Sequence, residues 1–292
     1  MRARDIRGPL NSARPVNWQH ALADGLVRWW ISAPQLGMGG TVLRDLAQSQ
    51  HGTLTGMAQP STSTSGWNRT TRRGGSGHIS ADGSNDYVAF PAITFSATTS
   101  FTIALWMQPI TVISSSNNFL SDGQQAIDAI WFNGVGTALQ FSLGITTYPI
   151  VTLSPGFTDN GGWQHMVVGR DASGGGTVLV YKDGVLVGSQ GEQTGGPRAM
   201  SLSQWCGDTG GGGQYVSGDF DDFRLYTRLL SATEISSLYQ NSRLGCPDLL
   251  NRMMMYSFAA PVAAQGQPMI RRMGSIQHGR PVALGAHGVK VH

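Results

Sequence analysis

The stretch TVLVYKDGVLVGS, Thr177 to Ser189, leaves little choice of conformation. Apolar residues alternate on both sides of Asp183-Gly184, and a two-residue connection needs positive φ, which Asp and Gly tolerate. It predicts a β-hairpin. A cluster at Ser173–Gly176 separates it from a preceding strand, WQHMVVGRD, that opens on Trp163 and His165. None of these residues is an obvious reacting group. A chain organised around such a unit must supply further strands to pair with it.

It supplies many. GLVRWW (Gly25–Trp30), Thr41–Leu43 and Tyr87–Phe90 have strand character, and Asp82-Gly83 forms a turn. In SFTIALWMQP, Phe101, Ile103 and Leu105 fall on one side and Thr102, Ala104 and Trp106 on the other; both sides are apolar enough for a central strand. Asn133-Gly134 marks a second hairpin within AIDAIWFNGVGTALQFSLG, and SLSQWC and GDFDDFRLYTRLL complete the series. Ser61–Gly77 is poor in apolar residues and is expected to be a long surface loop. One helix is predicted, SATEISSLYQNSR, with Ser231 and Glu234 as a capping box and Ile235, Leu238 and Tyr239 on one face. It is expected to seal one end of a pair of sheets. Charged residues are only 13% of the chain and Glu occurs only as Glu192 and Glu234, which disfavours a helical protein.

About a dozen strands with one late helix call for an all-β fold: a two-sheet antiparallel jelly-roll sandwich with extended terminal arms. The expected boundaries are an arm over 1–20, the sandwich over 21–245 and a tail over 246–292. Within the tail, DLLNRMMMYSF could be a helical turn or a strand, and residues 259–292 are rich in Gly, Ala, Pro and Gln and too poor in hydrophobics to build a core of their own. No 20–50-residue repeat is visible, which disfavours a propeller or solenoid.

The ordered segments FTIALWMQP, WQHMVVGRDASGGGTVLVYKDGVLVGS and GDFDDFRLYTRLLSATEISSLYQ, with ADGSNDYV (Ala81–Val88) and GLVRWW before them, resemble the laminin-G-like, concanavalin A-like jelly-roll family over about residues 25–240. The opening RPVNWQHALADGLVRWW resembles laminin-G-like proteins encoded by tailed bacteriophages. The resemblance implies that Trp106 and Trp163 are core rings between the sheets and that His165 is a hydrogen-bonded strand residue. It implies that Asp221 and Asp222 satisfy backbone or Arg groups near a sheet edge. Some members of the wider family bind Ca²⁺, for which Asp82 and Asp86 are weak candidates. Two carboxylates on a turn do not make the roughly six to eight oxygens the ion takes. No cofactor is otherwise expected.

Little here suggests catalysis. Glycosidases built on related sandwiches need two carboxylates about 5–9.5 Å apart across a groove. Glu192 lies in a Gly-flanked segment, Glu234 caps the helix, and the resemblance assigns Asp219, Asp221 and Asp222 to structure. No Gly-x-Ser-x-Gly elbow occurs, and GDTGGGGQ lacks the ending of a phosphate loop. Cys206 and Cys246 could pair, although free buried thiols suit a lone pair of cysteines better. No metal-binding Cys/His spacing appears.

Charge is distributed unevenly. Arg2, Arg4, Arg7 and Arg14 against Asp5 give residues 1–20 a charge of +3. Arg252, Arg271, Arg272, Arg280 and Lys290, with no acid, give residues 249–292 a charge of +5. The whole chain is +3, so the middle carries −5. With Trp18, these basic residues are the candidate assembly contacts. Aromatics are not interleaved with the charges, so nucleic acid is not an expected partner. The N-terminus lacks the ~7–15-residue apolar run of a secretory signal, and no window reaches the ~20 residues of a membrane span.

Two expectations follow. The first is a non-enzymatic virion structural protein, made in the host cytoplasm: a capsid decoration or head-surface protein. Its arms would hold it to the major capsid protein, other virion proteins or neighbouring copies of itself. The second is a glycan-binding adhesion module, with Trp67, Trp131, Tyr148 and Trp205 as candidate stacking rings for a polysaccharide.

Overall fold

Alternation over so many short segments yields sixteen strands among the described residues. The computed structural model describes residues 16, 18–32, 40–68, 77–110, 118–123, 128–133, 138–142, 151–154, 156–159, 162–192, 198–210 and 214–243. In chain order the strands are β1 (Leu26–Trp30), β2 (Val42–Leu43), β3 (Gly52–Thr55), β4 (Gly66–Asn68), β5 (His78–Asp82), β6 (Tyr87–Phe95), β7 (Phe101–Pro109) and β8 (Asn118–Ser121). They continue with β9 (Ala129–Asn133), β10 (Ala138–Ser142), β11 (Val151–Leu153), β12 (Gln164–Asp171), β13 (Thr177–Lys182), β14 (Val185–Gly191), β15 (Met200–Trp205) and β16 (Ser217–Tyr226). One α-helix among the described residues, α1 (Ala232–Arg243), follows. No helix among the described residues is long and apolar enough to cross a membrane.

The strands form two antiparallel eight-stranded sheets, the arrangement of a concanavalin A-like jelly-roll sandwich. In the first the order is β14-β13-β12-β7-β16-β5-β4, with β1 also paired to β16. In the second it is β11-β10-β9-β8-β15-β6-β3-β2. As the alternation predicts, β7 is central, flanked by β12 and β16. The opening hairpin forms as read: Lys182 faces Val185, with Asp183 at φ 51° and Gly184 at φ 81°. The Asp183 carboxylate accepts the His165 amide at 2.9 Å, which ties the turn to β12.

Inward residues of both sheets meet in one core. Phe101, Ile103, Leu105, Met107, Phe220, Phe223 and Leu225 of the first sheet pack against Phe90, Phe95, Phe119, Ile130, Leu139, Leu202 and Trp205 of the second. Trp30 sits 4.9 Å from Phe90 and 5.0 Å from Phe223, and Trp205 sits 5.1 Å from Phe223. These rings bridge the layers.

The helix does not seal an end of the sheet pair. It lies on the outer face of the first sheet, where Ile235 and Leu238 join Val16, Leu22, Leu26, Trp29, Ala104, Val167, Tyr181 and Tyr226 in a second apolar cluster. The reason is in the sheet itself: Ala104, Val167 and Tyr181 make its outer face apolar, and that face must be covered. Val16 and a 3₁₀ turn at Ala21–Ala23 share the task, so packing starts inside the segment expected to be an arm. Arg228 fastens the cover. Its guanidinium donates to the carbonyls of Asp24 (2.8 Å) and Ala21 (3.1 Å) and, through both terminal nitrogens, to Glu234. The capping box forms: the Ser231 amide donates to Glu234 at 2.8 Å, and the Glu234 amide donates to the Ser231 hydroxyl at 3.3 Å.

Three further expectations are corrected. The Ser61–Gly77 segment contains β4, which extends the first sheet beyond β5. Trp106 is buried, but on the outer face beneath α1, 5.6 Å from Tyr239 and 5.1 Å from His165. Trp163 is half-buried just before β12, with its ring edge-on to His78 at 5.4 Å, and does not lie between the sheets.

Candidate ligand-binding face

Among the described residues, no helix lies on the outer face of the second sheet. Because side chains alternate, the residues next to its core positions point away from the sandwich. Ile130 and Leu139 are inside, which places Trp131 and Gln140 outside; these two are directly paired, and Gln140 is paired in turn with Thr152. Trp131 is half-buried and Thr152 exposed. The Gln140 side-chain amide donates to the Thr152 hydroxyl at 3.3 Å, and the Thr152 backbone amide donates to the Gln190 side-chain Oε1 at 3.2 Å. On the other side of Trp131 lies its partner Asn118, whose amide donates to the buried Asp208 carboxylate at 2.8 Å. Further along the same face, Thr53, Ala89 and Gln204 form one row and Thr94 and Ser201 another.

Among the described residues the face is therefore one indole among hydroxyls and amides, with Val42 and Ala89 as small apolar members of the Thr53 row. The acids next to it are turned to backbone work: Asp128 accepts the Ser201 amide at 2.8 Å, and Asp208 accepts the Gly210 amide at 2.9 Å. Such a surface offers hydrogen-bond donors and acceptors and an indole ring, which suits neutral hydroxylated ligands. Among the described residues it presents no group arranged for proton transfer or nucleophilic attack.

Of the three candidate stacking rings among the described residues, Trp131 alone is positioned as one. Trp67 and Trp205 are core residues, at 7% and 1% exposure. The Trp67 indole donates to the Gly40 carbonyl at 2.9 Å. Tyr148 lies outside the described residues. So do Arg2, Arg4, Arg7, Arg14, Arg252, Arg271, Arg272, Arg280, Lys290 and Cys246. Trp18, at 42% exposure, is an exposed ring next to the cover of the first sheet. Asp82 is exposed and accepts the Ser84 amide, whereas Asp86 is fully buried and accepts the Asp82 amide at 3.1 Å. Burial raises the Asp86 pKa, against the pull of the Ser65 hydroxyl and the Asp82 amide. The pair closes its own turn, and among the described residues no three His, Cys, Asp or Glu side chains gather as a metal site would need.

The carboxylates that could be suspected of catalysis are engaged. Glu192 forms a two-pronged pair with Arg170, at 2.6 and 3.2 Å, with both side chains fully buried. Glu234 is held by Arg228, whose hydrogen bonds bring its pKa down to about 2 against the opposing effect of burial. Asp222 pairs with Arg224 at 2.8 and 3.0 Å and accepts the Trp29 indole at 2.8 Å. Burial opposes the charge on Arg224, yet Asp222 and Tyr226 outweigh it and hold the guanidinium above its ordinary pKa. Asp221 accepts the Ser32 amide at 2.8 Å. Both aspartates satisfy backbone or Arg groups, but on β16 in the middle of the first sheet, not at its edge. Asp219 accepts the Ser80 hydroxyl at 2.6 Å directly, so His78 does not stand between serine and acid as a general base would. Cys206 is a free, buried thiol, its pKa raised first by burial and then by the charge of Asp86.

The residues that sequence reading missed, Gln140, Thr152 and Gln204, are individually unremarkable. Their signal is positional: each sits beside an inward apolar residue in its strand.

Comparison with known proteins agrees with this architecture. Domain 4 of AbnA, a GH43 extracellular arabinanase from Geobacillus stearothermophilus solved in complex with arabinotriose, is similar over 74% of this chain and 98% of its own, at 17% identity and a TM-score of 0.53. The binding domain of Paraclostridial Mosquitocidal Protein 1 is similar over 76% of this chain and 53% of its own, at 15% identity and a TM-score of 0.52. Trypanosoma rangeli sialidase in complex with sialic acid is similar over 77% of this chain but only 34% of its own, at 14% identity and a TM-score of 0.51. The chain thus spans about half of the mosquitocidal binding domain and a third of the sialidase. At these identities the likeness is one of fold. No curated protein matches in sequence. Residues 82–236, more than half of the chain, match a laminin-G family model, and the chain belongs to the Concanavalin A-like lectin/glucanases superfamily.

Proposed function

We propose that this protein is a non-catalytic saccharide-binding module whose ligand lies on the outer face of the second sheet, against Trp131. One observation carries the reading. Among the described residues, one sheet's outer face is covered by the helix and the N-terminal segment, and the other carries an uncharged surface of Gln140, Thr152, Thr53, Thr94 and Gln204 around a half-buried indole. The solved complex of the AbnA domain with arabinotriose supports the ligand class by analogy of fold. The engagement of Glu192 and Glu234 by arginine supports the absence of acid–base chemistry. A glycan array probed with the full chain tests it. Binding to neutral polysaccharides that falls at least tenfold in Trp131→Ala is expected; no binding above background, or binding indifferent to that substitution, overturns it.

A second reading concerns where the module works. The first and last described parts of the chain, Val16 and helix α1, pack in the same cluster on the same outer face. The basic flanks continue the chain from these two described parts, while the Trp131 face belongs to the other sheet. This supports a virion surface protein, held to capsid or other virion proteins by its ends, with copies side by side and the saccharide face displayed. Quantitative mass spectrometry of purified particles tests it: the chain should be present in a fixed ratio to the capsid protein, and its absence would remove this reading while leaving the first intact.

A further inference from the structure

The outer face of the second sheet extends well beyond the surroundings of Trp131. On β6, Val88 and Phe90 face the core, so Tyr87 and Ala89 face outward. The register brings Tyr87 close to the level of Trp131. Trp205 is level with Val88 on one side and with Leu120 on the other, and Cys206 carries the pairing one residue further by donating its amide to the Phe119 carbonyl at 2.9 Å. Asn118, the residue before Phe119, is the partner of Trp131. Tyr87 and Trp131 thus stand near one line across β6, β15, β8 and β9, three strand spacings or about 14 Å apart.

Tyr87 has a companion. The Tyr215 ring lies 6.3 Å from it, with 31° between the two planes. Both side chains close over Gly207: a methyl group there would stand 2.5 Å from Tyr215 Cδ1 and 3.4 Å from Tyr87 Cβ. The missing side chain lets the two rings settle side by side on the sheet. Both are half-buried, and among the described residues neither hydroxyl has a hydrogen-bond partner or is sealed from solvent. Tyr181 and Tyr226, the outward tyrosines of the first sheet, are instead 6% and 0% exposed within the covered cluster. Two adjacent phenols on an uncovered sheet face, with their hydroxyls free, have the form of a stacking platform: apolar ring surface for sugar C–H groups and a polar tip beside it.

We infer that Tyr87 and Tyr215 form a second stacking subsite, which holds the far end of a neutral oligosaccharide whose near end lies against Trp131. The ligand class rests on the proposed function; the length of the ligand is the new element. A disaccharide seated on Trp131 does not span about 14 Å, whereas a tetrasaccharide does. Between its two ends the ligand crosses the 208–210 segment. There the buried Asn118 gives its amide to Asp208 at 2.8 Å, and Thr209 is tied to the Gln204 side chain at 2.9 and 3.2 Å, so the crossing point is held in place.

Titration calorimetry of the full chain with dimers and tetramers cut from arabinan, xylan, cellulose and mannan tests it. In a series that binds through Trp131, the tetramer should bind about fivefold or more tighter than the dimer, the worth of one further aromatic contact. Tyr215→Leu and Tyr87→Leu should each bring the tetramer close to the affinity of the dimer, whereas Tyr215→Phe should keep the difference, because the ring face carries the contact. Gly207→Ala, whose methyl group would displace the Tyr215 ring, should act as Tyr215→Leu does. Should these variants unfold, nitration of the unaltered protein by tetranitromethane still decides: peptide mass spectrometry should find Tyr87 and Tyr215 modified, protected by the tetramer and not by the dimer. Equal binding of dimer and tetramer, a difference that survives both Leu substitutions, or nitration unchanged by the tetramer overturns the inference and leaves the Trp131 face standing. Binding indifferent to Trp131→Ala, or no binding in any series, overturns both readings together.

Discussion

The two outer faces of the sandwich follow opposite rules. On the first sheet, Ala104, Val167, Tyr181 and Tyr226 are apolar and are hidden beneath Val16, Leu22, Ile235 and Leu238. The charged groups beneath that cover are paired, Arg224 with Asp222 and over the Trp29 ring at 4.6 Å. On the second sheet the described outer residues are mostly hydroxyls and amides, with Trp131, Ala89 and the exposed Val42 among them. One face spends its side chains on stability and the other leaves them available. A substitution should therefore show its effect in a denaturation curve on one side and in a binding curve on the other.

The sharpest way to break this contrast is Asp222→Ala. It strips the fully buried Arg224 of its partner and the Trp29 indole of its acceptor, and removal of one member of a buried pair costs about 3–5 kcal/mol. Chemical denaturation should register that loss, and a change below about 1 kcal/mol would mean the pair is not stabilising the covered face. Next come the two tryptophans. Trp205→Ala should cost about 3–5 kcal/mol, as for any large ring removed from a core, while Trp131→Ala should cost under about 1 kcal/mol and act on binding instead. Similar losses for both would erase the distinction between the faces. Ile235→Ala should cost about 2–4 kcal/mol by opening a cavity under α1.

Smaller effects sharpen the picture of the cover. The Glu234 pKa is held at about 2, below its ordinary 4.5, by Arg228. A depressed carboxylate stabilises the fold above its unfolded pKa and loses that contribution as pH falls through its folded one. The anchoring of α1 should therefore weaken between about pH 4.5 and 2, and Glu234→Gln should flatten the thermal stability profile in that window. Because Glu234 and Arg228 are each about a quarter exposed, solvent screening keeps this effect small. Last, the buried Cys206 thiol, its pKa raised, should react with a thiol reagent only as the protein unfolds.

Much of this was legible in the residues. Alternation in β7, the Asp183-Gly184 turn, the Ser231–Glu234 box and the set of laminin-G-like segments gave the sandwich and its helix. Two things were not legible. The Ile235/Leu238 stripe says that α1 packs, not on what; its docking face depends on Ala104, Val167 and Tyr181, distant in sequence, being apolar together. The second is face assignment at bulges. Leu202 points inward, and strict alternation would send Trp205 outward. The register shift between Leu202 and Gln204 reverses the count, and the ring enters the core. The same happens on β16, where the shift between Asp221 and Arg224, with Asp222 at φ 53°, lets both Phe220 and Phe223 point inward. Trp131 escaped the difficulty because no shift interrupts its pairing with β10.

The pairing of β1 with β16 has a consequence for how the protein is made. Leu26 lies opposite Tyr226, and Arg228 reaches back to Ala21 and Asp24. On the ribosome, the first strand waits for its neighbour until some two hundred further residues have been added. The middle of the first sheet stays empty through that interval, since β7 also borders β16. Nascent chains stalled before Ser217 should thus be protease-sensitive throughout, and those carried past Arg243 should acquire resistance in a single step.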